Sequence, residues 1–407
     1  MLFEPLDPNS RFRERRAQAL RRKRRRRAAL VGVVLASGAV VAGGAQLYDS
    51  HPGTRSGGAK PNATSTAATT AAAATTPAAP AVSTARRPVP AEIRGVHVTI
   101  ALASLPGKLE EYMRMRSAGL NTIELDVKDE NGEIGFVPSS VPLASRVGAA
   151  MRYYKPREAV RLARKHGLYL IGRVVIFEDP KLSTGRPDLA IRRADGSVWT
   201  NAAGLGWTNP YDRRVWDYNV SIAEVAARAG FDEIQLDYVR FPSDGDIETA
   251  VFAHKTSTPP AWVIPQFVQY AAKRLKPLGV RLSADVFGLS ATRDLGIGQM
   301  PRRISRYLDA VYPMTYPSHY SAGEYGIADP SAQPGETVFN SLADFRRELR
   351  GRKTDIVPWV QDFTLGRTYT LTEVRAQIES ARLQDARGYL LWNPSGVYTD
   401  GALVPPG

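Results

Sequence analysis

Eight short apolar runs, each separated from the next by a helical pattern, leave this chain few folds to choose from. From residue 91 the runs are "RGVHVTI" (94–100), "NTIELDVKD" (121–129), "LYLIGRVVIF" (168–177) and "FDEIQLDYVRF" (231–241). They continue with "VRLSADVFG" (280–288), "DAVYPMTY" (309–316), "TDIVPWVQDF" (354–363) and "RGYLLWNP" (387–394). Between them lie amphipathic stretches such as "KLEEYMRMRSAG", "KPREAVRLARKHG", "YDRRVWDYNVSIAEVAARAG" and "TLTEVRAQIESARLQDA". Several end in Gly directly before a strand, the left-handed stop that takes a chain out of a helix. Eight β units alternating with helices over about 310 residues is the count of a (β/α)8 TIM barrel, expected here over 91–407. An open doubly wound sheet is the alternative, but it would want a Gly-rich phosphate loop after its first strand, and "VTIALASLPG" has none.

The fourth run shows where chemistry should lie. Glu233, Gln235 and Asp237 share one face at period two, and Ile234, Leu236 and Tyr238 share the other. Burying an unpaired carboxylate costs several kcal/mol. The carboxyl ends of barrel strands are where such groups are expected, because active sites are built there. Alternation then nominates His97 and Thr99 on the first strand, Glu124, Asp126 and Lys128 on the second, and Arg173 on the third. It adds Gln235 and Asp237, Ser283 and Asp285, Tyr312, Met314 and Tyr316, Trp359 and Gln361, and Trp392 on the remaining five.

This inventory is carboxylates, amides, one Arg, one Lys and aromatics. No His-x-His or His/Cys cluster is present, which disfavours a transition-metal hydrolase, and no metal ligand or cofactor is expected. No Gly-x-Ser-x-Gly elbow supports an esterase. Acids beside Trp and Tyr suit sugars, and glycoside hydrolysis needs two carboxyl groups. Asp237 is the expected nucleophile or primary catalytic carboxylate. Asp285, on the neighbouring strand, is the expected partner, with Asp362 and Asp126 as fallbacks. Asp362 follows Gln361, so strict alternation turns it outward unless a bulge re-aims it. Asp237 could instead pair structurally with Arg173 or Arg240, and Asp126 with Lys128. Substrate contacts are expected from His97, Glu124, Lys128, Arg173, Gln235, Arg240, Tyr312, Tyr316, His319, Trp359, Gln361 and Trp392. Long loops after the third and fourth strands should wall a cleft, with Trp199, Trp207 and Asn209 as candidate subsite residues.

"LDYVRFP", "SADVFG", "YPMTYPSHY" and "PWVQDF", in that order, resemble a bacterial family of glycoside-hydrolase-type TIM-barrel domains. The resemblance covers roughly residues 93–400 and implies the fold and a hydrolase-type site, without a substrate. More distantly, the strand-four Asp followed by "YVRFP" is similar to envelope hydrolase-like barrels carrying "DYIRYP". It is also similar to the alpha-amylase arrangement, in which a strand-four Asp is the nucleophile and a strand-five carboxylate the acid/base. Asp237 matches that pattern; the fifth strand offers Asp285 where that family uses Glu.

The formal net charge of +14 would suggest nucleic acid if it were spread over the barrel. Residues 1–27 hold ten Arg and one Lys against three acids, and residues 91–407 carry only +3. Nucleic-acid binding by the barrel therefore has no electrostatic support. "RRKRRRR" (21–27) abuts twenty uncharged residues, "AALVGVVLASGAVVAGGAQL". The pattern predicts a basic cytoplasmic tail (1–27) and a transmembrane signal-anchor over 28–48, with the remainder outside. A cleaved signal peptide and a secreted barrel are the rival reading. Residues 49–90, rich in Ala, Thr and Pro, read as a disordered linker. The chain has no cysteine, so disulfides and cysteine-linked lipid are excluded. Three functions fit these readings: a membrane-tethered glycoside hydrolase acting on a polysaccharide or oligosaccharide, a catalytically inactive glycan-binding barrel in envelope assembly, and a transglycosidase.

Overall fold

The computed structural model describes residues 86–405, and the expected tail, anchor and most of the linker lie outside them. The strands are β1 (Ile93–Val98), β2 (Thr122–Lys128), β3 (Tyr169–Val175), β4 (Glu233–Asp237) and β5 (Arg281–Phe287). They continue with β6 (Ala310–Met314), β7 (Asp355–Ile356), β8 (Trp359–Gln361) and β9 (Gly388–Trp392). All pair in parallel, β1 through β6 in order, and β9 lies between β8 and β1. The β5–β6 and β6–β8 pairings close the ring. Eight strand positions result, because β7 and β8 are two pieces of one. The break falls at Val357 and Pro358; a proline cannot donate to the ladder.

Each crossover carries a helix. These are α1 (Lys108–Arg114), α2 (Pro156–Lys165), α3 (Arg213–Ala229), α4 (Pro260–Leu275), α5 (Pro301–Ile304), α6 (Pro334–Glu348) and α7 (Leu371–Leu383). Several begin with proline in the first turn, where its missing N–H costs nothing. Helix α3 ends on Gly230 at φ +109°, which lets the chain reverse into β4. Among the described residues no helix is long and apolar enough to cross a membrane.

Strand alternation divides the core into two. Val96, Ile123, Leu125, Leu170, Ile234, Leu236, Leu282 and Val286 face outward and pack under the helices. Ile93, Tyr169, Ile171, Tyr312, Trp359, Leu390 and Trp392 fill the barrel itself. The lower end of the barrel is sealed by Glu233, whose carboxylate accepts from the Tyr169 hydroxyl and the Tyr312 hydroxyl, both at 2.9 Å. Polar groups concentrate at the other end.

Candidate active site

Arg173 organises the upper end. It projects inward from β3 and donates to Asp237 Oδ2 from Nε (2.9 Å) and Nη2 (2.6 Å). Its Nη1 donates to Asp126 Oδ1 at 2.6 Å and lies 3.6 Å from Glu130. The other oxygen of Asp237 accepts from the Tyr238 N–H at 2.6 Å. Tyr238 has φ +49°, a strained conformation for an aromatic residue, and it turns the chain sharply where the carboxylate must be held. Asp237 keeps 7 % exposure while Asp126 and Asp285 keep 1 % each and Glu124 none. It is therefore the carboxylate of the four most open to the mouth.

Asp285 sits one strand over. Its Oδ1 accepts from the Gln235 amide and from the Trp359 indole N–H, the latter at 2.6 Å, while its Oδ2 has no hydrogen-bond partner among the described residues. Burial pushes this carboxyl well above the usual carboxylate range, and the charges of Asp237 and Glu124 push it further. Glu124 is raised well above its usual value for the same first reason, against the opposing pull of Arg173. Asp126 is pushed up to about 6 by burial, with His97 and Arg173 pulling it down. Glu124, Asp126, Glu130, Asp237 and Asp285 thus crowd about a single guanidinium. Burial favours the protonated forms of Glu124, Asp126 and Asp285, the three most buried of them.

His97 lies across the floor. Its Nδ1 hydrogen-bonds Glu124, its Nε2 is 3.5 Å from Asp126, and its ring lies 4.6 Å from that of Trp392. One ligand atom from each of His97, Glu124 and Asp126 lies within 4.8 Å of the others, so this trio could hold a divalent cation. In the structure Glu124 is engaged directly with the imidazole. Tyr316 is buried above the floor, its phenol raised by burial and then by the charges of Asp285 and Asp237. Tyr316, His319 and Phe363 form an edge-to-face cluster with ring centroids 5.4–6.2 Å apart.

Several expected site residues are placed elsewhere. Lys128 leaves the barrel interior because β2 is irregular between Asp126 and Lys128, so strict alternation fails there. Its ammonium pairs with Asp179 at 2.6 Å and donates to Asn219 of α3 at 2.7 Å. Tyr312 faces inward but belongs to the sealed lower layer with Glu233. Asp362 turns outward, as alternation requires, and accepts from the Thr399 N–H at 2.8 Å. Gln361 is used up in scaffolding, accepting from the Ser318 N–H at 3.1 Å and donating to the Phe363 carbonyl at 3.0 Å. Arg240 packs against the rings of Trp207, Tyr238 and Phe287 and donates to Ser243. Trp199, Trp207 and Asn209 are buried; Trp199 and Asn209 donate to the Asp246 and Ala253 carbonyls of the loop after β4, and Trp207 packs beside Tyr238. Two acids that pattern reading missed, Asp129 and Glu130, lie just past the end of β2. The signal was the acid-rich "DVKDENGE" at a strand's carboxyl end.

Residues 95–398 match the model of the family described as "Putative glycosyl hydrolase domain", DUF4015. The chain belongs to that family. Among solved structures, the PgaB (BpsB) glycoside hydrolase domain from Bordetella bronchiseptica shares its fold: 14 % identity, 75 % of this chain and 95 % of that one covered, TM-score 0.54. A hypothetical protein from Ruminiclostridium thermocellum is 32 % identical, with 47 % of this chain and 97 % of that one covered and a TM-score of 0.43. The noncanonic maltogenic alpha-amylase AmyB from Thermotoga neapolitana is 13 % identical, with 76 % and 70 % covered and a TM-score of 0.42. No curated protein matches the chain.

Proposed function

We propose that this protein is an exported, membrane-tethered glycoside hydrolase that cleaves a polysaccharide with retention of configuration, Asp237 as nucleophile and Asp285 as acid/base. The observation that carries the reading is the opposed environments of these two carboxyls. Asp237 lies against the Arg173 guanidinium, which holds the carboxylate in a fixed orientation beside a cation. Asp285 is buried beside other acids, which favours the protonated form a general acid needs. In the first step Asp237 attacks the anomeric carbon as Asp285 passes its proton from the unbonded Oδ2 to the leaving glycosidic oxygen. In the second, Asp285 takes a proton from water, and that water displaces the sugar from Asp237. The indole of Trp392, beside His97, supplies an apolar face of the kind sugar rings stack on.

Tethering rests on the basic cluster at 21–27 and the uncharged stretch after it, both outside the described residues. The double hydrogen bond of Arg173 to Asp237 favours a second reading, a barrel that binds glycans without cleaving them, since a paired carboxylate is a weaker nucleophile.

A panel of oligosaccharides with proton NMR of the first product tests the proposal. Retained configuration, with an alkaline limb in kcat/KM that vanishes in Asp285→Asn together with roughly 10²–10⁴-fold of the rate, is the expected result. Inverted product, or a pH profile unchanged by Asp285→Asn, removes Asp285 from the assigned role.

A further inference from the structure

The end of the barrel opposite Asp237 holds a second polar concavity that the chemistry above does not use. A cavity of about 510 Å³ opens between α2 and the C-terminal end of α3, reaching Leu278 just before β5. Five arginines line it, Arg86, Arg157, Arg161, Arg164 and Arg228, and no carboxylate is among its lining residues. Arg157, Arg161 and Arg164 recur at spacings of four and three, which puts them on one face of α2. Arg157 and Arg161 stand exposed at the cavity and the Arg164 side chain is buried beside them, and guanidinium groups gathered this closely call for negative charge.

Nearby acids do not supply it. Asp232 is already filled: its two oxygens accept from Arg164 at 2.6 and 2.8 Å and from the backbone N–H groups of Arg87 and Leu170. Glu224 is shared between Arg228 and Arg274. Glu158 stands 3.8 Å from Arg161 with both side chains more than half exposed. Arg157 has no ion pair or hydrogen bond among the described residues, although it lines the cavity. Arg164 is 93 % buried, and its Nε has no hydrogen-bond partner there. An orphaned donor on a buried cation is costly, and a bound anion would relieve it.

We propose that this cavity binds a phosphate group. Planar guanidinium forks match phosphate oxygens two at a time, and the unpaired Arg157 beside Arg161 and the orphaned Nε of Arg164 favour a multiply charged anion over a single carboxylate. The phosphate could come from a lipid headgroup or from a free or polymeric phosphate; the chemistry is the same.

The test uses the full chain, solubilised in a neutral detergent, titrated by calorimetry with two probes. One is inorganic pyrophosphate and the other is dihexanoyl phosphatidylglycerol below its micelle concentration, with phosphatidylcholine of the same chain length as control. The basic N-terminal tail will also attract anions, so the readout is the difference between wild type and the double variant Arg157→Glu/Arg161→Glu. Glutamate at 157 lies in the first turn of α2, where negative charge suits the helix dipole, so the variant should fold. Arg164 and Arg86 stay intact because they hold backbone carbonyls. A saturable site that weakens by about tenfold or more in the variant is expected, since lost charge-assisted bonds of this kind exceed the ~1.4 kcal/mol that a factor of ten represents. The probe that binds more tightly names the source. No saturable site for either probe, equal binding of the phosphatidylcholine control, or binding indifferent to the double substitution would overturn the proposal. Circular dichroism of the variant excludes unfolding as the cause of a loss.

Discussion

Arg173 is where a single side chain decides most. Its three donor nitrogens bridge β2 to β4 through Asp126 and Asp237, both buried. Replacing it with Met leaves those acids facing one another without a cation. Breaking a buried pair in this way costs about 3–5 kcal/mol, to be read from urea denaturation; a loss under about 1 kcal/mol would mean the acids are solvated after all. Lysine would recover only part, because a single ammonium cannot fork to two carboxylates. Asp129 sets a pH dependence. Burial, and then Glu130, push its carboxyl from 3.8 up to about 8. The folded chain therefore keeps a proton that the unfolded chain releases, so stability falls as pH climbs from about 4 to about 8 and levels off above. Asp129→Asn removes this contribution: its melting temperature relative to wild type should rise with pH across that window, and a constant difference would count against the assignment. Alternation made Asp237, Asp285, Arg173, Glu124 and His97 legible as inward residues, because the side-chain period holds wherever the ladder is regular. It does not give height within the barrel, so Tyr312, an inward residue of the lower layer, reads the same as one at the mouth.

At the scale of elements, the strands were readable from their apolar runs and the helix ends from Gly and Pro. Two irregularities were not. The shift between Asp126 and Lys128 turns the lysine out of the barrel toward α3, and the break at Val357 and Pro358 splits one strand into two. Both depend on partner strands that a linear sequence does not show. The same holds for the His97, Glu124 and Asp126 group, which spacing alone hides because its members come from adjacent strands. The seam between β9 and β1 gives a direct prediction. Gly388 has φ +120°, and a Cβ there would lie 2.0 Å from the Ile93 carbonyl oxygen. Gly388→Ala must therefore push β9 off β1 where the ring closes. A loss of at least about 1–3 kcal/mol is expected by thermal or denaturant unfolding. Wild-type stability in the variant would show that the seam is slack.

For the whole molecule, a closed parallel barrel gathers carboxylates from β2, β4 and β5 at one rim, while arginines from α2 and α3 gather at the other end. If the chain is anchored as its first 48 residues suggest, the protein should stay in the membrane fraction through an alkaline carbonate wash, and removing residues 1–48 should release it. Wild-type protein recovered in the soluble fraction would instead support cleavage of the leader. The central claim concerns Asp237. Asp237→Asn keeps the size of the side chain and one acceptor oxygen, enough for either Arg173 or the Tyr238 N–H, so the fold should survive with some loss of stability. The account predicts that this variant, with an unchanged circular dichroism spectrum, loses turnover of any oligosaccharide the wild type cleaves by about 10³-fold or more. Undiminished turnover by a folded Asp237→Asn protein would contradict it.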